Sequence, residues 1–478
     1  MSQELVAVFF YISLLIFTGC ISFKRKQTES DFILGGRNLN YWLTALAAHA
    51  SDMSSWLFMG YPALIFATGL QNSWVAIGLI AFMFLNWQFI APKIRIATEY
   101  YASMTFSSFF ESRFSDTSGL IRIFTALLSF FFFSIYISSG LMGLGILVES
   151  LFHVPYFTGV TISLAIVVPY LFIGGYRTLA YLDLFQGLFL MVVICAVPIA
   201  AIYHIGGVES LKISLQSYPY ALQLIPNFSW KEIASLLLVS IGWGLGYFGQ
   251  PHIITKFMGI RQANEMHKSK YIGMTWQCIT LSAATLIGVI GIVVFSKGLI
   301  DPQLIFINLV HLLFPSFLSG FILCAVLAAT ISTMDSQILV LASSLAEDFY
   351  KRIFRRNASS KEIVWVSRIA ILLVATIAYF ISSKKYSTIF ELVSYAWCGL
   401  GSTFGPLLIF SLYWKKANKY GAWAGIAVGG IISALWPYID RKFLQSQLAP
   451  IIPAFFLSSL AIWSISYYTH NYCIGKKS

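Results

Sequence analysis

The sequence is poor in charge. Asp, Glu, Lys and Arg make up 10% of its 478 residues, well under the roughly 25% of an ordinary soluble domain. Its six cysteines (Cys20, Cys195, Cys278, Cys324, Cys398 and Cys473) stand singly in or beside apolar runs, with no CxxC and no paired spacing. That excludes neither a thiol nor a fold, but it argues against a disulfide framework or a metal cluster. No hydrophilic stretch is long enough to fold alone; the largest, near 93–118, 207–231, 252–273 and 347–363, are loop-sized. The chain also lacks a GxGxxG after a strand, a P-loop lysine motif and an HExxH. Nothing therefore points to nucleotide hydrolysis or metalloprotease chemistry, and the chain is not expected to be an enzyme. The seven histidines are scattered and read as interfacial or hydrogen-bonded side chains.

What fills the sequence instead is apolar: 58% hydrophobic and 17% aromatic residues, with a mean hydropathy of +0.77. The expected fold class is all-α, a polytopic membrane protein. Thirteen candidate spans fall near 5–23, 41–67, 74–92, 119–148, 154–174, 183–206, 232–251, 274–296, 312–346, 364–383, 387–413, 421–438 and 450–468. The net charge of +12 does not indicate nucleic acid, because the Lys and Arg lie in short loops. Starting from Lys24, Arg25, Lys26 and Arg37, alternate loops and the tail hold 24 of the 31 basic residues and the opposite side holds 7. Basic loops stay in the cytoplasm, so the N-terminus is expected outside and the C-terminus inside a cell membrane, a bacterial inner membrane. The uncharged-to-acidic start, with basic residues after the first apolar run, reads as a retained helix rather than a signal peptide.

Three stretches carry polar chemistry inside these spans. Ala48–Pro62 (A-H-A-S-D-M-S-S-W-L-F-M-G-Y-P) places Asp52 in the middle of the second span. A carboxylate at the centre of a membrane helix costs about 2.5–3.5 kcal/mol, so it should face a cavity and have a partner. Ser51, Ser54, Ser55, Gly60 and Pro62 around it weaken the helix and free backbone carbonyls as ligands, a setting for a cation or a polar solute. The bland alternative is a buried Asp satisfied by serines. Ser240–Met258 holds Gly242, Gly244, Gly246, Gly249 and Pro251 in the seventh span; each Gly costs about 0.8–1 kcal/mol relative to Ala, so a break is expected, although glycines also permit close helix packing. The two interrupted spans are five apart, the spacing of an inverted repeat that sets broken helices at the midplane. Leu327–Gln337 brings Ser332, Thr333, Asp335 and Ser336 together in the ninth span. Oxygen-rich clusters suit a hard cation such as sodium, while hydroxyls in membranes also bond back to their own helix.

With G-G-R-N-L-N at 35–40, S-L-A-E-D-F-Y-K at 344–351 and G-Y-F-G-Q-P-H at 246–252, these stretches resemble the sodium/solute symporter family, and within it the sodium/proline symporters, over roughly residues 5–470. The resemblance implies a LeuT-like inverted repeat of five plus five helices, here 41–206 and 232–413, after an extra helix at 5–23 and before two more at 421–468. It implies a sodium site from Ala50, Asp52, Met53, Ala329, Ser332 and Thr333, with Asp52 the aspartate that sodium requires. It implies a substrate pocket from Ser54, Tyr136, Trp243, Tyr247 and Pro251. Arg37 matches a cytoplasmic-side gate residue and Asp183 an acid near the inner mouth; Asp335 is either a second cation ligand or an electrostatic modifier. The function implied is import of L-proline coupled to Na+ by alternating access, in the lipid bilayer, with no nucleic acid and no obligatory protein partner. Another small solute (a different amino acid, pantothenate or a sugar) is the alternative within transport. A membrane sensor, the alternative outside it, would carry a fused soluble domain.

Overall fold

The computed structural model describes residues 3–22, 28–173, 175–385, 387–446 and 448–474. The basic cluster Lys24, Arg25 and Lys26, used above to orient the chain, lies outside them. The described residues are helical with no β-strand, apart from one isolated bridge between Leu39 and Ile260. The first helix is α1 (Gln3–Ser22). The second expected span is broken into α2 (Tyr41–Met53) and α3 (Gly60–Thr68). The third is α4 (Trp74–Leu85), continued through a π turn into α5 (Ala91–Tyr100). The fourth to sixth are α6 (Leu120–Phe152), α7 (Tyr156–Ile173) and α8 (Tyr176–Ile205). The seventh is broken into α9 (Trp230–Leu245) and α10 (Pro251–Met258). The rest are α11 (Met266–Val294), α12 (Ser316–Ser344), α13 (Ser360–Ser382), α14 (Ile389–Tyr413), α15 (Lys419–Ile439) and α16 (Ile451–Ile474).

Eleven of the described helices are long and apolar enough to cross a membrane, against the thirteen spans expected. The second and fifth expected spans are there as shorter helices, the second because its chain breaks in the middle. The ninth run also starts later than expected: a separate helix, Ile305–Leu313, ends before Pro315 and α12 begins at Ser316. Proline cannot continue a helix and restricts the residue before it.

Both breaks follow from local chemistry. Asn40 caps α2, its Oδ1 accepting from the Leu43 amide at 2.9 Å. The helix ends where Ser54 takes a positive φ of 43°, after which Ser55–Leu57 makes a single 3-10 turn. In the seventh span Gly246–Gly249 tightens to a 3-10 turn, Gln250 is extended, and Pro251 opens α10 as its first residue, the position where its missing N–H costs nothing. The glycines there serve packing as well. A Cβ on Gly249 would stand 2.6 Å from the Leu400 carbonyl and 2.7 Å from that of Gly401, so only glycine admits α14 this close.

Burial distinguishes centre from rim. Within the most apolar part of the α12 segment 83% of residues are buried, against 17% in α1. α12 packs on α1, α2, α6 and α8, and α10 packs on α2, α5 and α12. Large apolar side chains face outward along the rim, such as Phe17, Ile21, Ile199 and Phe380; lipid tails cover such surface as readily as protein does. This is a multi-pass membrane protein.

Candidate functional site

The break after Met53 leaves the last carbonyls of α2 without amide partners four residues on, and α12 meets them there. Ser332 Oγ donates to the Ala50 carbonyl at 2.6 Å. Thr333 Oγ1 donates to the Ala329 carbonyl at 3.0 Å and accepts from the Ser54 amide at 2.9 Å. All of these residues, and Met53, are buried. Residues 282 apart in sequence thus form one oxygen node.

Asp52 turns away from that node. Two residues on from Ala50 is about 200° round a helix, and its carboxylate accepts from the Tyr247 hydroxyl at 2.5 Å. Gln277 Nε2 of α11 donates to the same hydroxyl at 2.8 Å, and Asn86 Nδ2 holds the Tyr247 carbonyl at 3.1 Å. Around this triad lies a pocket of about 260 Å³ lined by Asp52, Met53, Trp56, Leu79, Tyr136, Trp243, Tyr247, Val393 and Trp397. Its walls are aromatic. The Trp243 ring lies 5.5 Å from Trp56 and 5.2 Å from Phe390, and Trp397 stands edge-on to Tyr247 at 5.0 Å. Trp397 Nε1 donates to the Trp243 carbonyl at 2.9 Å, and Gln250 Nε2 bonds the carbonyls of Gly246 and Trp397 at 3.2 and 3.1 Å. The irregular backbone of the seventh span therefore has its polar groups met by side chains. Apolar faces and one carboxylate suit a small solute, the faces to hold it and the carboxylate to orient it.

The expected site residues do not all converge. Tyr136, Trp243 and Tyr247 are brought together, with Asp52 and Met53. Ser54 is not among the residues that line the pocket; its Oγ accepts from the Trp56 amide at 3.2 Å. Pro251 opens α10 and lines a different cavity. Asp335 is buried two residues past Thr333, electrostatically close to Tyr11 of α1. Arg37 and Asp183 lie at the far end of α10. Arg37 donates to the carbonyls of Ser103 and Thr98 at 2.8 and 3.0 Å and to that of Met258 at 3.4 Å. Asp183 pairs with Lys256 of α10 at 2.8 Å, their side chains 1% and 3% exposed. The isolated bridge at Leu39 ties to the same end, Leu39 N to Gly259 O at 3.2 Å and Arg261 N to Leu39 O at 2.8 Å. Sequence reasoning missed Trp56, Trp397, Gln277 and Lys256. Trp56 and Lys256 stood inside stretches already singled out; for Trp397 and Gln277 the sequence carried no local signal.

Residues 32–429 match the model of the "Sodium:solute symporter family". The high-affinity proline transporter PutP of Bacillus subtilis is 39% identical over 460 residues, which cover 95% of this chain and 96% of that protein. The osmoregulated proline transporter OpuE of the same organism is 40% identical, covering 96% and 94%. The sodium/proline symporter of Escherichia coli is 36% identical, covering 96% and 91%. In shape the chain is similar to a Na+-coupled sialic acid symporter in a substrate-bound outward-open state, with a TM-score of 0.82 at 17% identity and 98% coverage of both chains. It is also similar to Mhp1, a nucleobase-cation-symport-1 family transporter, with a TM-score of 0.56 at 15% identity, covering 93% and 96%. The fold is therefore shared well beyond detectable sequence likeness, and the chain belongs to the sodium:solute symporter family.

Proposed function

We propose that the protein imports L-proline, or a zwitterion of similar size, together with Na+, and that the aromatic pocket beside Asp52 is its solute site. The observation that carries this reading is the meeting of one buried carboxylate with five aromatic side chains beside two helix breaks. A pyrrolidine ring offers apolar area to Trp243, Trp56 and Trp397, and the ammonium end has Asp52 to meet it. The names of the relatives support the choice of solute. Sodium would take the node one turn away: the carbonyls of Ala50, Met53 and Ala329 and the hydroxyls of Ser332 and Thr333. Their present hydrogen bonds run between these same atoms, so a cation would replace contacts among oxygens already gathered. Asp52 then acts as the counter-charge shared by ion and solute rather than as a direct ligand. Arg37 and the Asp183–Lys256 pair act as the inner gate around α10, and Asp335 serves as a second cation ligand or as a modifier of the local field.

The energetics suffice for this role. One Na+ moving down about 100 mV supplies roughly 2.3 kcal/mol and a tenfold gradient about 1.4 more, enough for roughly 500-fold accumulation. Residues 41–206 and 232–413 would form the two inverted repeats that rock around the fixed site. Radiolabelled proline uptake into proteoliposomes tests the whole reading: uptake should rise steeply with an inward sodium gradient and vanish without sodium. Uptake driven equally well by a proton gradient, or none of proline beside brisk uptake of a larger solute, would overturn it.

Two further results are expected. Thr333→Ala and Asp52→Asn should each raise the sodium concentration for half-maximal uptake, by about three- to tenfold, since each removes an oxygen or the charge that makes a dehydrated cation tolerable. An unchanged sodium dependence in both variants would remove the node from the site. For orientation, cysteines placed in the 257–270 and 355–360 loops should react only from the cytoplasm and ones near 214–226 only from outside. Reaction of both groups from one face would refute the assignment of the N-terminus to the outside.

A further inference from the structure

The last turn of α2 ends at a break, so no continuing helix holds it. Among the described residues, four side-chain bonds from distant parts of the chain fix residues 49–54. Three of them are the bonds of the site: Ser332 to the Ala50 carbonyl, Thr333 to the Ser54 amide and Tyr247 to Asp52. An arriving ion or solute draws on those atoms, so these bonds do not hold the turn throughout filling and emptying. The fourth involves no atom of the site. Trp87 Nε1 donates to His49 Nε2 at 3.1 Å, with His49 wholly buried and Trp87 1% exposed.

His49 stands one residue before Ala50 and three before Asp52, which sets it on the Asp52 side of the helix. Two adjacent pairs reach this side, and each spans both broken helices. In the π turn Asn86–Ile90, Trp87 holds His49 while Asn86 holds the Tyr247 carbonyl at 3.1 Å. On α11, the Trp276 ring lies 5.8 Å from that of His49, while Gln277 donates to the Tyr247 hydroxyl at 2.8 Å. Trp87 also lies 4.5 Å, ring to ring, from Phe257 of α10. α11 makes room for the imidazole at Gly273, where a Cβ would stand 2.3 Å from His49 Nε2. Packing alone does not call for histidine here. Trp87 Nε1 can only donate, so Nε2 accepts and the ring proton sits on Nδ1, which no acceptor among the described residues reaches. A phenylalanine would fill the space without that stranded donor; what it lacks is the acceptor for Trp87.

We propose that His49 is a positioning residue for sodium binding: its bond to Trp87 fixes the roll of the last turn of α2, so that Ala50 meets Ser332 while Asp52 meets Tyr247 before any ion arrives. The proposal rests on the functional reading above for the place of the ion. Without the bond only a fraction of molecules hold the binding-competent roll, and apparent affinity falls by that fraction. Equilibrium binding of radiolabelled Na+ to the purified protein, with no solute present, reads it directly. His49→Phe should raise the sodium concentration for half-saturation about tenfold, while the maximal rate of proline uptake at saturating sodium stays within about twofold, because bound sodium restores the turn. His49→Gln, which keeps a side-chain acceptor for Trp87, should bind sodium within about twofold of the parent chain. Trp87→Phe should match His49→Phe, and the double variant should bind no more weakly than either single variant, since all three lose the same bond. Gly273→Ala, which pushes the ring off Trp87 and leaves both partners in place, should weaken sodium binding alike. The double variant leaves neither polar group unpaired, so its thermal stability should lie near the parent's; if it also binds sodium as the parent does, the bond is structural and positions nothing. His49→Gln as weak as His49→Phe, or a fall in maximal rate at unchanged sodium affinity, likewise overturns the proposal. A parent chain that binds no sodium overturns the functional reading of the oxygen node and the role of His49 with it. A parent that binds sodium beside a His49→Phe variant that binds it equally well overturns the role of His49 alone.

Discussion

Tyr247→Phe should weaken the apparent affinities for solute and for sodium together, each by at least about tenfold, although it deletes a single oxygen. The hydroxyl donates to Asp52, which is only 6% exposed, and accepts from Gln277. Its loss leaves the carboxylate without that donor and strands the Gln277 amide. Hydrogen bonds to a charged group contribute about 1.5–3 kcal/mol, and 1.4 kcal/mol is a factor of ten in affinity. Trp243→Ala provides the contrast. It removes an aromatic wall with no bond to Asp52, so solute affinity should fall strongly while binding of sodium alone stays within about twofold. Direct binding of labelled proline at graded sodium concentrations, with a sodium-only binding measurement beside it, separates the two patterns. If Tyr247→Phe shifts solute affinity alone, Asp52 is not the charge shared by ion and solute; if Trp243→Ala shifts both equally, the pocket and the oxygen node are not separate sites.

The second large effect is expected at the far end of α10. Lys256→Met should destabilise the protein by about 3–5 kcal/mol, because it leaves Asp183 charged, buried and unpaired in a medium that solvates charge poorly. The double variant Lys256→Met/Asp183→Leu should recover most of that loss, since a buried ion pair contributes little beyond what apolar side chains of similar size provide. Thermal unfolding in detergent micelles, followed for both single variants and the double, measures the coupling. Transport should not recover with stability if the pair also works as a gate; a double variant that regains both stability and full uptake would leave the pair a purely structural contact. Single variants as stable as the parent chain would mean that the pair is solvated.

How much of this was legible beforehand differs by element. The membrane class, the positions of most spans and both helix breaks follow from composition over windows of about twenty residues and from the placement of Ser, Gly and Pro. Ser54 and the Gly246–Gly249 turn break their helices where the sequence indicated. Pro251 was legible as part of a break but not as a lining residue of another cavity. That distinction depends on which way a side chain faces after a break, and a break removes the helical period from which facing is read. Asp52 was legible as a residue needing a partner; that the partner is Tyr247 was not.

Local physics can therefore be read from the residues alone: which segments must leave water, where they cannot remain helical, and which side chains are too costly to face lipid. Tertiary structure alone decided the pairings. Asp52 meets Tyr247 across 195 residues, Ala50 meets Ser332 across 282, and Asp183 meets Lys256 across 73. In a bilayer every helix is apolar on its outside, so hydrophobicity does not say which helices adjoin, and the choice falls to shape and buried polar bonding. Trp397 illustrates the limit. Nothing near it in sequence marks it, yet α14 can approach the turn because Gly246 and Gly249 lack a Cβ, and that approach puts its ring against Tyr247.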